Sequence, residues 1–338
     1  MNRLLVIGAG ASLEECKRSG NYPENTDHYM PVISNFCNKL FIPDSGILLR
    51  STASYLNSHG ISYETKLLNL KDGDTFTGED MERSPIGVFL QLERDTPGEH
   101  NIERLCEYVW RAFKTDTNFW DSFIYDGIYL HLFALFTNQF GLGLGKPMRA
   151  GTRVANQLTP GDAVINLNYE ITFDLALKQA NKRICYAPDS NLDSISILKP
   201  HGSFNFYVNL ENGNCFFDEP DRIAGSVGIP DPEGGHFYPH SGIVPPRLHK
   251  NYEQHPAASA ILGTGRPFHP KVVTFWGLGL TDSDIDLLSV YKEATSGAET
   301  IEFINPSSEA YNKAIALLDN KITHYQTLDE WFIAHNID

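Results

Sequence analysis

Short apolar runs, each closed by glycine or polar residues, recur along the chain. Leu4-Leu5-Val6-Ile7 is apolar at every position and runs into Gly8-Ala9-Gly10-Ala11-Ser12, then Leu13-Glu14-Glu15-Cys16. A run without polar alternation predicts a strand buried on both faces, here followed by a glycine turn and a helix start. Residues 163–167, 194–198 and 271–276 have the same character, and Thr300–Ile304 is a fifth such run. Strands of this kind predict an α/β fold, a Rossmann-like parallel sheet flanked by helices. Its ligand crevice lies beyond the carboxyl ends of the strands.

The stretch between the first two strands differs in texture. Ile102, Leu105, Cys106, Val109, Trp110 and Phe113 share one face at helical spacing. Residues 119–136 read as a second, more deeply buried helix, and Asp121, Asp126 and His131 within it argue against a membrane span. These patterns predict a single domain over 1–338, with a core from about 1–30 and 155–338 and a helical insertion over about 31–154. Residues 210–270, rich in Gly, Pro, His and Tyr, predict long loops with a small hairpin. The tail reads as helix, strand, helix, with Thr327-Leu328-Asp329-Glu330 as a capping box ahead of Trp331-Phe332-Ile333.

Composition narrows the function. A chain of 338 residues that is 41% hydrophobic and 20% charged has ample material for a core and belongs with globular enzymes. Its formal charge of −15 argues against direct binding of a phosphate backbone. The five cysteines (Cys16, Cys37, Cys106, Cys185, Cys215) never pair as Cys-x-x-Cys. That fits reduced thiols in a cytoplasm and rules out the usual four-cysteine zinc site. The start of the chain carries no cleavable signal, so the expected location is cytoplasmic, with no membrane attachment.

Four sets of residues could carry chemistry. Gly8-Ala9-Gly10-Ala11-Ser12 sits at a strand-to-helix turn, where backbone N–H groups and the helix N-terminus suit a phosphate, although Leu13 breaks the full Gly-x-Gly-x-x-Gly pattern. Asn166-Leu167-Asn168-Tyr169-Glu170 ends a strand; the Asn168 amide can hold a water or ribose hydroxyl, or simply cap the next helix. Lys199-Pro200-His201-Gly202-Ser203 follows another strand and puts His201 where a general base is useful. Trp276-Gly277-Leu278-Gly279-Leu280-Thr281-Asp282-Ser283-Asp284 lets backbone approach a ligand, and its acidic residues read as helix caps rather than a cation loop.

In order and spacing, these sets together with Ile304-Asn305-Pro306 resemble the sirtuin-like domains of bacterial anti-phage systems. Ile243-Val244-Pro245-Pro246 and the tail from Thr327 to Phe332 are similar as well. The resemblance implies NAD as substrate. Gly8, Ala9, Gly10, Ala11 and Ser12 would meet its phosphates and nearby ribose, with Glu170, Gly202 and Ser203 adding to the pocket. Gly277, Gly279 and Asn305 would line the adenosine half, and Thr281 and Asp282 would add to the cofactor site. Asn168 and His201 would be the catalytic pair. Glu170 stands where Asp is usual, and Gly279 where Ser is common.

The absence of a zinc-ribbon motif removes the peptide side of the sirtuin cleft, so the resemblance implies hydrolysis of NAD to nicotinamide and ADP-ribose, without a metal. Deacylation is the less favoured reading. The alternatives from other classes are a non-catalytic nucleotide sensor and a scaffold subunit of a nucleic-acid-handling complex. Relatives of this size imply a homo-oligomer working beside a second defence protein, a HerA-type ATPase or a short Argonaute.

Overall fold

The computed structural model describes residues 1–32, 35–41, 45–69, 77–96, 98–141, 146–189, 191–222, 228–250, 252, 269–280, 285–318 and 321–337. The chain divides into two compact units, the first comprising Met1–Met30, Leu135–Val244 and Asn251–Asp338. Its strands are β1 (Arg3–Ile7), β2 (Ala163–Asn166), β3 (Ile184–Tyr186), β4 (Ile195–Leu198), β5 (Phe206–Val208), β6 (Cys215–Phe217), β7 (Ile229–Pro230), β8 (His236–Phe237), β9 (Val272–Trp276), β10 (Thr300–Ile304) and β11 (Ile322–Tyr325). Seven of them form one sheet in the order β11-β10-β9-β1-β2-β4-β3. Every pairing in it is parallel. This is the α/β, Rossmann-like architecture that the apolar runs predict.

Sheet register sets the location of the crevice. Ile7 lies opposite Asn166 on one side and Trp276 on the other, Trp276 opposite Ile304, and Ile165 opposite Leu198. The carboxyl ends of these strands are therefore nearly level, and the segments after them open onto one edge. After β1 the chain builds β2, β3 and β4 on one side and then returns to the other side for β9. That reversal is the switch point where open α/β sheets place ligands.

The strands lack polar alternation because both faces are covered. Leu4 and Val6 pack with Val273, Phe275, Phe303, Leu287 and Tyr291 in one cluster. Leu5 and Ile7, which point the other way, are equally buried. Glu302 is a buried exception, answered by three donors. Its Oε2 accepts from Arg3 Nη1 (3.1 Å), Thr274 Oγ1 (2.6 Å) and Trp331 Nε1 (3.1 Å), fastening the helix Leu328–Ala334 to the sheet. At the start of that helix Thr327 accepts from the Glu330 N–H. The Glu330 carboxylate takes the Gln326 N–H at 2.8 Å instead of the cap residue's own, so only half of the expected capping box forms.

The second unit comprises Pro31–Ala134 and Pro245–Lys250. The helix Ile102–Phe113 is capped by Asn101 and buries Ile102, Leu105, Cys106 and Val109, while Trp110 is only half-buried. The helix expected over 119–136 is present as an uninterrupted helical run, Thr117–Ile124 continuing through a π-helical turn Tyr125–Tyr129 into Leu130–Phe140. Trp110 meets Trp120 edge-on at 5.1 Å, and Phe113 stacks on Phe119 at 4.1 Å. Residues 135–154 fall in the first unit. One tie there is the Glu15 carboxylate, from the helix Ala9–Ser19, accepting the Ala150 N–H (3.3 Å) and Gly151 N–H (2.5 Å) at the start of the helix Arg149–Ala155. Among the described residues no helix is long and apolar enough to cross a membrane.

Candidate functional site

The segments that follow β1, β2, β4 and β9 meet at the level carboxyl edge of the sheet. After β1, the helix Ala9–Ser19 begins directly at Gly8. Gly8 N–H donates to Trp276 O (3.0 Å) and Gly10 N–H to Gly277 O (3.0 Å). A Cβ on Gly8 would come within 2.6 Å of Gly277 O, and one on Gly277 within 2.2 Å of Ala11 N. With φ of +65°, Gly277 also has a backbone that side chains disfavour. These glycines thus serve first to pack two turns backbone against backbone, and one N–H expected at the phosphates, that of Gly10, is spent on Gly277.

Ser12, buried on the first turn of that helix, is the hub of the polar site. It receives Asn168 Nδ2 at 2.9 Å and donates to a Glu170 carboxylate oxygen. Asn168 Nδ2 also donates to Gly8 O at 3.1 Å. The other Glu170 oxygen takes the Thr172 N–H, so this carboxylate holds the start of the helix Thr172–Gln179. A negative group is favourable there. Asn168, Ser12 and Glu170 therefore form one bonded set, with Glu170 turned toward Ser12 and Thr172. Asn166 lies deeper and is fully buried; its Oδ1 accepts the Asn168 N–H at 3.1 Å.

His201 is held at the neighbouring strand end. Its Nδ1 lies 2.9 Å from Leu167 O, and a carbonyl can only accept, so Nδ1 carries the proton. In the neutral ring Nε2 is then the basic nitrogen, and at 2.8 Å it accepts from the Tyr252 phenol, whose ring stacks nearly parallel to the imidazole. Nothing in the sequence pattern singles out Tyr252. Gly202 has φ of +78°, and a Cβ there would lie 1.6 Å from Gly242 O. Ser203 is fully buried with its hydroxyl on Tyr169 O at 3.2 Å. Both therefore support the loop that carries His201.

The predicted adenosine-side residues divide. Gly279 is exposed, with nothing among the described residues within 4 Å of where its Cβ would be. The Asn305 amide donates to Leu278 O at 2.9 Å and accepts the Ser307 N–H at 2.8 Å, which places it as a brace for the Gly277–Leu280 turn. Thr281 and Asp282 lie outside the described residues. Among the described residues no group of three or more His, Cys, Asp or Glu is arranged to hold a metal ion.

No family model matches the chain, and no curated protein matches it. Solved structures do. The chain is similar to Sir2 homologues. One is a Sir2 homologue mutant with 2′-O-acetyl ADP-ribose, at 13% identity over 99% of this chain and 90% of that one, TM-score 0.44. A Sir2 homologue–NAD complex is 13% identical over 98% and 86%, TM-score 0.43. A Sir2 homologue mutant with ADP-ribose is 14% identical over 100% and 94%, TM-score 0.44. What those chains hold is their own property; the α/β class of this chain rests on its own sheet order.

Beside the hub, a small recess is lined by Ile7, Ala11, Ser12, Glu15, Gly151, Thr172, Phe173 and Trp276. Thr172 Oγ1 is buried there without a partner among the described residues. Burial pushes the Glu15 carboxyl above the ordinary carboxylate range, against the smaller lowering effects of the Ser19 hydroxyl and the N–H groups of Gly151, Ala150 and Arg149. A raised folded-state value means that Glu15 adds stability below its unfolded value of about 4.3 and loses that contribution as pH rises through the folded value. The stability of the wild type relative to Glu15→Gln is therefore expected to decline in urea titrations as the pH is raised from about 4.3, the unfolded value, through the higher folded one. A difference flat across that window would remove this account of Glu15.

Proposed function

We propose that the chain binds NAD across the edge formed by the ends of β1, β2, β4 and β9 and hydrolyses its nicotinamide–ribose bond. The observation that carries this reading is the set Ser12–Asn168–Glu170, bonded across two strand ends, with His201 in a fixed tautomer at the third. In this scheme the bond to the cationic nicotinamide breaks and its electron pair neutralises the pyridinium nitrogen. The ribose is left as an oxocarbenium-like cation. Water oriented by Asn168 adds to the anomeric carbon, and its proton passes to His201 Nε2, displacing the Tyr252 phenol. Nδ1 stays protonated on Leu167 O throughout, and no metal takes part.

A second reading, a non-catalytic NAD sensor, is favoured by one observation: Tyr252 already occupies His201 Nε2. Nicotinamide release from NAD separates the two. The enzyme reading expects stoichiometric nicotinamide and ADP-ribose; the sensor reading expects binding without release.

An NADase of this kind would exhaust its host's cofactor and has to be restrained. We therefore place it in anti-phage defence as an NAD-depleting effector, activated by self-association or by a second protein that detects foreign nucleic acid. The half-buried Trp110, Phe119 and Trp120 of the helical unit are the proposed assembly surface. Specific activity is expected to rise with protein concentration. High activity that stays flat down to nanomolar protein, with no partner present, would sink the self-association part.

A further inference from the structure

We propose that the buried ion pair Lys199–Asp174 is the positioning element of this site, fixing from below the loop that carries Asn168 and Glu170. The proposal rests on the reading of that crevice as an NAD-cleaving site. Both side chains are fully buried, with Nζ 3.6 Å from Asp174 Oδ2. Each partner reaches a different point of the loop. Lys199 Nζ donates to the backbone carbonyl of Glu170 at 2.7 Å. Asp174 Oδ2 accepts Asn166 Nδ2 at 3.0 Å, and Asn166 Oδ1 accepts the Asn168 N–H at 3.1 Å. Asp174 Oδ1 accepts the Tyr186 hydroxyl at 2.8 Å, which ties the pair to edge strand β3. The loop is thereby gripped on its inner side by this network and on its outer side by Ser12 and Gly8.

A buried ion pair is an expensive way to gain stability, since neutral packing of similar volume usually does as well or better. What the pair supplies here is direction: a carbonyl and an N–H two residues apart are each held by one arm of the same network. Lys199 leads directly into His201 as well, through Pro200, so the pair also sits at the root of the loop carrying the base. Neither residue touches substrate in the proposed scheme. They act through Asn168, Glu170 and His201.

The test uses the full chain with Lys199→Met and with the double variant Lys199→Met/Asp174→Asn. The double variant removes both charges, keeps one amide oxygen to accept from Asn166, and turns an NH2 toward the Tyr186 hydroxyl oxygen, which can accept it. The single variant leaves a lone buried carboxylate and is expected to lower the melting midpoint by about 5 °C or more. The double variant is expected to recover most of that loss. Its kcat is nevertheless expected to remain down about thirtyfold or more, with KM within about threefold of wild type. Amides of residues 167–171 are expected to exchange about tenfold faster or more, with β1 unchanged.

A merely structural pair would return kcat and exchange together with the melting midpoint. Turnover within about threefold of wild type in the double variant overturns the proposal. Loop exchange equal to wild type overturns it too. If the wild type releases no nicotinamide, the NADase reading fails by itself, and the exchange measurement still decides whether this pair positions the loop.

Discussion

Replacing Asn168 by Ala is expected to lower NAD turnover about a hundredfold or more, and His201→Ala is expected to cost as much. Both effects come from single side chains at strand ends. Asn168 loses the amide that orients the attacking water, together with its bonds to Gly8 O and Ser12 Oγ. His201 loses the basic Nε2 and leaves Leu167 O without its Nδ1–H donor. The second loss carries a stability cost of about 1–3 kcal/mol, a fall of several degrees in the melting midpoint of a chain this size. The melting midpoint should therefore fall by that much while nicotinamide release falls steeply. A double variant that kept activity within about threefold of wild type would mean that the chemistry lies elsewhere.

Gly277→Ala is expected to cost about 2–5 kcal/mol of stability from one added methyl group. The new Cβ would meet Ala11 N at 2.2 Å and Gly10 C at 2.5 Å, both backbone atoms that cannot rotate away. Its φ of +65° adds strain of its own. Gly279→Ala, two residues on, has nothing among the described residues within 4 Å and should cost far less. Urea midpoints of the two variants measure the contrast directly. Similar midpoints would mean that the β1 and β9 turns are not packed as described.

The sheet was legible wherever a strand is buried on both faces. β1 is apolar from Leu4 to Ile7, β9 and β10 carry only Thr274 and Glu302 among their inner residues, and the turns after β1 and β9 announce themselves by glycine. β3 was not legible, because three half-buried residues, Ile184–Tyr186, give periodicity nothing to work on. The π-helical turn at Tyr125–Tyr129 was hidden for a different reason: it adds one residue to a single turn of a helix that is otherwise continuous. Among the candidate site residues, strand-end position pointed to Asn168 and His201, which one backbone carbonyl, that of Leu167, brings into adjacent positions.

Position along the chain could not reveal which polar groups are already committed. Asn305 braces a turn, Ser203 supports Tyr169, and Gly10 spends its N–H on Gly277. Those bonds belong to pairs far apart in sequence. The one overlooked signal was Asp174, a charge set among Phe173, Leu175, Ala176 and Leu177. A carboxylate on an apolar helix face implies a buried partner, and Lys199 is that partner.

Oxygen-18 water shows whether water cleaves NAD in this crevice. Incubation of the protein with NAD, over a range of protein concentrations, is expected to release nicotinamide and ADP-ribose in equal amounts. Each ADP-ribose should carry a single oxygen-18 at its anomeric carbon, and the signal should disappear in Asn168→Ala. Nicotinamide released without ADP-ribose, or NAD bound and returned intact at every concentration, would contradict hydrolysis at this site.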